Sequence, residues 1–325
     1  MKEPHNPRPR RGQVLILMVL LTFLMTLPAL ALFDHDDLAS DGGVTPIAEN
    51  LSLNTYKNVA ASGTFAAVDP DGGTLTYRVT KNPARGELKQ AEEGSAAFTY
   101  LPYENKTGKD SFTYVAQDAD GNVSQPATVS IKISKQKTKV TYSDLKGDGT
   151  ECAAVSLAEA GVFVGEQVGE TWLFRPEAAV TREEFLTMSM DLVGLEAQEA
   201  MGHTGFADDD AISAWARPYV SAALGAGMIQ GSVQGSRGPA FAPERVISQT
   251  EAAVMLDRLL RVTDVSAALD EEAAPAWAAQ SVANLESVGV LSTGSDGTVA
   301  LSEALTRAQA AQMLRSAREV LEARG

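Results

Sequence analysis

The sequence predicts a multidomain protein in which an all-β sandwich is followed by an all-α half made of three helical repeats. Three observations support this prediction. Apolar and polar side chains alternate with a period of two in residues 45–134, residues 142–325 are rich in alanine and helix-forming residues, and one pattern recurs three times in that second part. With 325 residues and 44% hydrophobic content, the chain is long enough for two or three packed domains.

The first part, residues 45–134, has the alternation of half-buried strands. Val129, Ile131 and Ile133 alternate with Thr128, Ser130 and Lys132, and other stretches repeat this pattern between turns such as Asp71-Gly72-Gly73. About seven short strands in this length are typical of a β-sandwich. The strings VDPDGGTLTYRV, FTYLPYENKTGKDSFTYVAQDADGN and ATVSIKI resemble bacterial cadherin-like, Ig-like modules. That resemblance implies a spacer or adhesive unit, and some such modules bind Ca²⁺ between domains.

Two pairs of aspartates in this part form a candidate calcium site. Asp69 with Asp71, and Asp118 with Asp120, supply the carboxylate oxygens that a hard cation prefers. The alternative is that they are turn formers, because Asp beside Pro and Gly accepts backbone hydrogen bonds in such loops. Calcium is therefore a candidate ligand here, and no cofactor is required.

The second part contains short helices with matching spacing. WARPYVSAALGAG (residues 215–227) and WAAQSVANLESVG (residues 277–289) align without gaps, and GTECAAVSLAEAG (residues 149–161) fits the same frame with Gly149 in place of tryptophan. Asp208 and Asp270 each lie seven residues before a tryptophan, and Asp144 takes that place in the first copy. The helix that follows in each repeat carries an apolar stripe, and packing of these three stripes on one another predicts a central bundle.

A second helix in each repeat opens with VTREEF, ISQTEA or LTRAQA. The pairs Thr181 with Glu184, Ser248 with Glu251, and Thr306 with Gln309 fit a capping box, in which two side chains satisfy backbone N–H groups at the helix start. Folding alone explains these six residues.

Together these strings resemble the S-layer homology domain, with its F-x-D, W-A, L-x-x-x-G, F-x-P and T-R-A-E motifs. The resemblance places three repeats at residues 142–198, 203–263 and 266–325. It implies a three-pronged pseudo-trimer with a central helical bundle. It also implies grooves between repeats that bind secondary cell-wall polymer, a peptidoglycan-linked glycan that often ends in a pyruvate ketal.

Arg182 and Arg307 are the candidate carboxylate-binding residues of these grooves. A cation in the first turn of a helix faces the positive end of the helix dipole and gains nothing locally. Arginine can grip a carboxylate with two parallel hydrogen bonds, and a pyruvate ketal carries one carboxylate. The alternative is an interhelix ion pair with a glutamate. Gln249 replaces arginine in the second repeat, which predicts weak or absent binding of an anionic sugar there.

Five further residues are candidates for polysaccharide binding. Trp215 and Trp277 either offer apolar faces to sugar C–H groups or anchor the first helix of their repeat in the core. Asp144, Asp208 and Asp270 either accept hydrogen bonds from sugar hydroxyls or cap that first helix.

The N-terminus predicts export. Residues 1–31 combine a basic start, an apolar run and Ala29-Leu30-Ala31, which together favour a signal peptide cleaved after Ala31. The alternative is an uncleaved membrane anchor, and only then would the protein contact the membrane. An acidic spacer (32–44) follows the signal peptide, and a basic linker (135–141) follows the β domain. We expect a secreted protein of the cell surface, cell wall or S-layer.

Composition excludes several functions. The net charge of −15 argues against nucleic-acid binding, which requires a basic surface. The three histidines are scattered and no glycosidase, protease or phosphate-binding motif is present, so we expect no enzymatic activity. The predicted function is non-covalent anchoring to the cell wall. The alternative is a surface adhesin or S-layer-associated subunit whose β domain binds a partner.

Overall fold

The β domain forms two main sheets. The computed structural model describes residues 43–195, 203–233, 238–266, 274–291 and 303–324, all within one compact unit. The predicted signal peptide, most of the acidic spacer and Asp270 lie outside the described residues. Nine strands are found in the β domain: β1 (Ile47–Ala48), β2 (Leu51–Tyr56), β3 (Ala61–Thr64), β4 (Ala67–Val68), β5 (Thr76–Lys81), β6 (Gly86–Gln90), β7 (Ala97–Pro102), β8 (Gly108–Gln117) and β9 (Ala127–Ser134).

The strands are ordered β2-β9-β8-β5 in a four-stranded sheet and β3-β7-β6 in a three-stranded sheet, while β1 pairs with β4. All pairings are antiparallel except that of β2 with β9. Val129, Ile131 and Ile133 are buried in β9, which confirms the alternation predicted from sequence. The two sheets share a core of aromatic rings: Phe98 of β7 packs edge-on against Phe112 of β8, with ring centroids 5.4 Å apart.

Tyr114 of β8 joins the core to the edge of the domain. Its ring is fully buried against Phe65, at a centroid distance of 4.3 Å. Its hydroxyl lies 2.6 Å from the carbonyl oxygen of Glu49 and 2.7 Å from that of Ala66, so one buried hydroxyl serves two backbone acceptors.

The described residues of the second part form six α-helices: α1 (Glu151–Ala160), α2 (Arg182–Leu192), α3 (Arg217–Gly225), α4 (Gln249–Leu260), α5 (Ala279–Ser287) and α6 (Arg307–Arg324). Two small hairpins also occur, β10 (Glu166–Val168) with β11 (Thr171–Leu173) and β12 (Ser232–Val233) with β13 (Pro239–Ala240). We call α1–α2, α3–α4 and α5–α6, each with its loops, the first, second and third segments. None of the described helices is both long and apolar enough to cross a bilayer.

The second helix of each segment begins at a capping box, as predicted. Thr181 and Ser248 each accept a hydrogen bond from the backbone N–H three residues later, and Glu184 and Glu251 accept one in return. Thr306 and Gln309 make the same reciprocal pair with an amide in place of the carboxylate. These side chains satisfy N–H groups that have no partner within the helix.

The residue before each cap takes part in a closed ring of backbone hydrogen bonds. The N–H of Val180 donates to Leu305, that of Leu305 to Ile247, and that of Ile247 back to Val180, at 2.9–3.0 Å. All three residues are at most 1% exposed. From this ring α2, α4 and α6 run in mutual contact, while α3 packs on α2, α5 on α4 and α1 on α6.

Asp144 and Asp208 hold equivalent loops in the first two segments. The carboxylate of Asp208 accepts hydrogen bonds from the backbone N–H groups of Phe241 (2.8 Å) and Ala242 (2.7 Å). Asp144 binds the N–H groups of Phe174 and Arg175 in the same way. Ala242 and Arg175 have φ of 55° and 57°, a left-handed conformation that costs about 1–2 kcal/mol in a non-glycine residue. The aspartates therefore stabilise a strained loop.

We expect Tyr114→Phe to destabilise the protein by about 1.5 kcal/mol, because the carbonyl groups of Glu49 and Ala66 lose the hydroxyl donor that they share while packing is retained. Urea unfolding followed by circular dichroism measures the change. Tyr103→Phe is the matched control, since Tyr103 is 50% exposed. Equal midpoints for the two variants would contradict this role.

We expect Asp208→Ala to lower the free energy of unfolding by about 2 kcal/mol, because two charge-assisted hydrogen bonds to a strained loop are lost. Asp210→Ala, at an exposed aspartate two residues further on, is the control and should unfold like the wild type. Indistinguishable stabilities would show that the loop does not depend on Asp208.

Candidate functional site

Two grooves lie between the segments of the helical part. The first groove has a volume of about 240 Å³. Its walls come from all three segments: Phe163, Phe174, Glu184 and Met188 belong to the first, Trp215 to the second, and Arg307 to the third. Its remaining lining residues are Leu157, Val162, Val180, Thr187, Ala310 and Ala311. Apart from Arg307, Glu184 and Thr187, every one of these side chains is apolar.

Arg307 is the cation of the first groove. Its guanidinium carbon lies 5.3 Å from the centroid of the Phe163 ring, and its Nη1 is 3.4 Å from the carbonyl oxygen of Phe174. Among the described residues no carboxylate forms an ion pair with it. The interhelix ion pair considered from sequence is therefore not formed within that part of the chain. The arginine fork is held by an aromatic face and a carbonyl oxygen, without a direct ion pair to any described carboxylate.

The second groove has a volume of about 250 Å³ and is more polar. Arg182 of the first segment and Trp277 of the third meet Arg245, Glu251 and Arg258 of the second. The other lining residues are Met228, Ile229, Gln230, Gly231, Ser232, Val254 and Met255. Three arginines and one glutamate give this groove an excess of positive charge, although the chain as a whole carries a net charge of −15. Such a local excess favours anionic ligands.

Arg182 is committed to the protein interior. It is 7% exposed, its Nη1 lies 3.3 Å from Oε1 of Glu251, and its Nε donates to the carbonyl oxygen of Phe241 at 2.9 Å. Burial lowers the pKa of Arg182, and the nearby Glu251 carboxylate opposes that shift. The structure thus gives Arg182 the interhelix ion pair that the sequence left as an alternative.

Arg245 and Arg258 belong to the second groove and were missed from sequence. Arg245 binds Glu251 with both terminal nitrogens, at 2.5 and 3.0 Å. Burial alone would raise the pKa of Glu251, but hydrogen bonds from Arg245 and Ser248 and the charge of Arg182 lower it. Arg258 makes only a long 3.5 Å contact with the carbonyl oxygen of Met228. In the sequence they are visible only as one basic residue before α4 and one in its last turn, and neither belongs to a repeated motif.

The two tryptophans are exposed. Trp215 is 52% exposed in the first groove and Trp277 is 63% exposed in the second. The alternative that they anchor helices in the core is therefore wrong. Each tryptophan lies two residues before its helix, and the alanine that follows it is buried in the core instead: Ala216 and Ala278 are at most 1% exposed.

The remaining candidates do not line these grooves. Asp144 and Asp208 bind loop N–H groups as described above, and neither caps α1 or α3, whose caps are Thr150 and Ala216. Gln249 begins α4 and its backbone N–H donates to Glu303. Asp270 lies outside the described residues.

Three of the four candidate aspartates of the β domain accept hydrogen bonds, and among them Asp71 binds the backbone N–H of Val44. Asp69 accepts a hydrogen bond from the N–H of Asp71, and Asp118 accepts two from Asn122. The hydrogen bonds of Asn122 lower the pKa of Asp118. In the described part of the chain no three His, Cys, Asp or Glu side chains are grouped to hold a metal ion. The calcium site considered from sequence is thus not formed by the described residues, where Asp69, Asp71 and Asp118 accept hydrogen bonds instead.

Comparison with known proteins identifies two domains. Residues 43–135 match the model of the bacterial cadherin-like domain, and residues 205–253 match that of the S-layer homology domain. Both matches agree with the resemblances seen in the sequence. These domain kinds are anchoring and adhesion modules.

Curated relatives share only parts of their length with this chain. The surface-layer 125 kDa protein of Lysinibacillus sphaericus is 27% identical over 168 residues, which is 51% of this chain and 13% of that protein. The exoglucanase XynX of Acetivibrio thermocellus is 31% identical over 134 residues, 40% of this chain and 12% of that protein. Cell surface glycoprotein 1 of the same species is 28% identical over 127 residues, 37% and 5%. The chain therefore spans a small fraction of the relatives it matches.

Among solved structures, the SrpA adhesin of Streptococcus sanguinis matches 31% of this chain and 63% of its own, with 17% identity and a TM-score of 0.25. At that TM-score we draw no conclusion from the likeness. The domain matches and the surface-layer relatives agree with each other. The chain contains a bacterial cadherin-like domain followed by an S-layer homology domain, and it is an exported protein associated with the cell surface or cell wall.

Proposed function

We propose that the protein anchors itself to the cell wall by binding a wall polysaccharide in the two inter-segment grooves. The observation that carries this proposal is the composition of each groove. Each groove combines an exposed tryptophan from one segment with an arginine from another segment. The remaining segment supplies apolar residues beneath them. Aromatic faces pack on sugar C–H groups, and arginine forks bind carboxylates. An anionic glycan offers both.

The three segments are proposed to be three S-layer homology repeats, at residues 142–198, 203–263 and 266–325, arranged as a pseudo-trimer around a central bundle. The closed hydrogen-bond ring of Val180, Ile247 and Leu305 supports this, because each residue stands one position before an equivalent helix cap. The cyclic packing of α1, α3 and α5 on the long helices supports it as well.

The ligand is proposed to be a secondary cell-wall polymer that carries a pyruvate ketal. This substituent bears one methyl group and one carboxylate on the same carbon. The apolar wall of Phe163, Val162 and Met188 in the first groove suits the methyl group, and Arg307 suits the carboxylate. In the second groove Arg258 supplies the freer charge, since Arg182 and Arg245 are paired with Glu251. Gln249 has no part in either groove.

The chain is proposed to act without catalysis. The relative named as an exoglucanase matches this chain over only 12% of its own length, so its name gives no ground for assigning catalysis to this chain. The alternative remains a surface adhesin or S-layer-associated subunit in which residues 45–134 bind a partner. A pull-down with the full chain and with Arg307→Ala separates the two, because a partner of the β domain is captured equally by both.

We expect Arg307→Ala and Trp215→Ala each to weaken binding to wall sacculi by about tenfold, because a charge-assisted bond or a stacking face is lost. Co-sedimentation with sacculi that retain their polymer measures the affinity, and sacculi stripped of polymer should bind neither variant nor wild type. Arg307→Lys should bind with intermediate affinity, since it keeps the charge and loses the fork.

The matched control for that experiment is Arg78→Ala, which removes an exposed arginine of the β domain. It should bind like the wild type. Undiminished sedimentation of Arg307→Ala and Trp215→Ala would contradict the first groove as a glycan site.

We expect Arg258→Ala to weaken binding without changing stability. Arg182→Ala should cost about 2 kcal/mol of stability, because a buried side chain and its bonds to Glu251 and to the carbonyl oxygen of Phe241 are lost. Urea unfolding and sedimentation of the same preparations separate the two effects. A stable Arg182→Ala protein with weakened binding would show that Arg182 contacts the ligand directly.

A further inference from the structure

Within the described residues, the third inter-segment position lacks the tryptophan and the helix-opening arginine of the other two. Gly149 stands two residues before α1, as Trp215 and Trp277 stand two residues before α3 and α5. Gln249 opens α4, where arginine opens α2 and α6. The first groove joins Trp215 of the second segment to Arg307 of the third, and the second groove joins Trp277 of the third segment to Arg182 of the first. Continued in the same order, Gly149 of the first segment and Gln249 of the second belong to the third position. That position therefore lacks the two side chains that define the other grooves.

The β domain contacts the third position directly. Ser62 of β3 donates its backbone N–H to the carbonyl oxygen of Gly149 at 3.2 Å. Its hydroxyl oxygen lies 3.5 Å from the side-chain amide nitrogen of Gln312. Gln312 is six residues beyond the Thr306 cap. The residues six beyond the other two caps are Thr187 and Val254, which line the first and second grooves.

Glycine is required at residue 149 by this contact. A Cβ atom there would lie 2.7 Å from Cβ of Ser62 and 3.2 Å from its backbone nitrogen, closer than real side chains approach. A tryptophan at residue 149, as in the other two segments, is thus incompatible with the position of β3. The glycine that breaks the repeat pattern at residue 149 is therefore the residue against which the β domain packs.

The contact also satisfies an open sheet edge. β3 is the outer strand of its sheet, and its outward backbone groups need partners. Besides the Ser62 bond, the N–H of Cys152 donates to the carbonyl oxygen of Ala60 at 3.0 Å. The N–H of Ala60 in turn donates to the buried carboxylate of Glu151 at 3.2 Å.

β2, an outer strand of the four-stranded sheet, and the linker between the two parts are also bound to the helices. Arg315 of α6 donates to the carbonyl oxygen of Asn54 in β2 at 2.8 Å. In the basic linker, the N–H groups of Lys137 and Thr138 both bind the carboxylate of Glu159 in α1, which lowers the pKa of that carboxyl despite partial burial. The linker is thus fixed along α1.

We propose that β3 of the cadherin-like domain is the built-in occupant of the third inter-segment groove. The domain is held there as part of one rigid body, and it leaves the chain with two grooves for ligand. The docking stands on the contacts above, whereas the count of two ligand sites rests on the proposed function. The three residues at this position, Gly149, Gln249 and Gln312, are neutral, which suits a polypeptide edge. The other two grooves instead carry arginine and tryptophan, which suit an anionic sugar.

Hydrogen exchange of the full chain without ligand tests the docking. Cys152 lies in the first turn of α1, where a backbone N–H has no partner within the helix, so its protection reports the bond to Ala60. We expect the amides of Cys152 and Ser62 to exchange more than about tenfold slower than unprotected amides. Exchange at the unprotected rate in the wild type would overturn the proposal.

Gly149→Trp should displace the domain. We expect its Cys152 and Ser62 amides to exchange at least about tenfold faster than in the wild type, while amides of the paired strands β8 and β9 stay slow. Gly225→Trp is the matched control, because a Cβ at Gly225 meets nothing within 4 Å, and it should leave all these amides protected. Gly149→Trp amides that remain slow would overturn the proposal, and the wild-type result decides it if this variant does not fold.

Titration calorimetry with a hexoside bearing a pyruvate ketal tests the number of ligand sites. We expect two equivalents per chain, and three would overturn the filling of the third groove. Absence of any binding would contradict the proposed function, while the exchange of Cys152 and Ser62 would still decide the docking.

Discussion

The hydrogen-bond ring of Val180, Ile247 and Leu305 is the constraint on which the helical part depends. Each residue donates to one neighbour and accepts from the other, so none of the three can move without breaking two bonds. Buried backbone groups cannot exchange such bonds for water, which makes the ring costly to open. Because the caps follow at the next residue, the ring also fixes where α2, α4 and α6 begin, and with them the walls of both grooves.

Much of this architecture could be predicted from the sequence, because it depends on local rules. The strand alternation of Val129, Ile131 and Ile133 and the capping box of Thr181 with Glu184 involve residues close together in the chain. Features set by packing between segments could not be predicted. The pairing of Arg182 with Glu251 brings together residues of two helices, and a spacing pattern carries no information about such distant partners.

The tryptophans and the aspartates show the same limit. Trp215 fits either a core or a surface role until the packing of Ala216 is known, since adjacent residues at a helix start face different ways. Asp208 binds backbone groups more than thirty residues away, at Phe241 and Ala242. A repeated aspartate was visible in the sequence, but the strained loop that it serves was not.

The edge contacts of the β domain also bear on how the protein would carry mechanical load. A pulling force applied to that domain would reach the helical part at two places. One comprises the bonds of Ser62 to Gly149 and of Ala60 to α1, and the other is the bond of Asn54 to Arg315. The covalent connection, residues 135–141, is itself bound to Glu159 of α1. Tension would then be shared between these hydrogen bonds and the covalent connection, so the bonds would have to break before that connection carried the load alone.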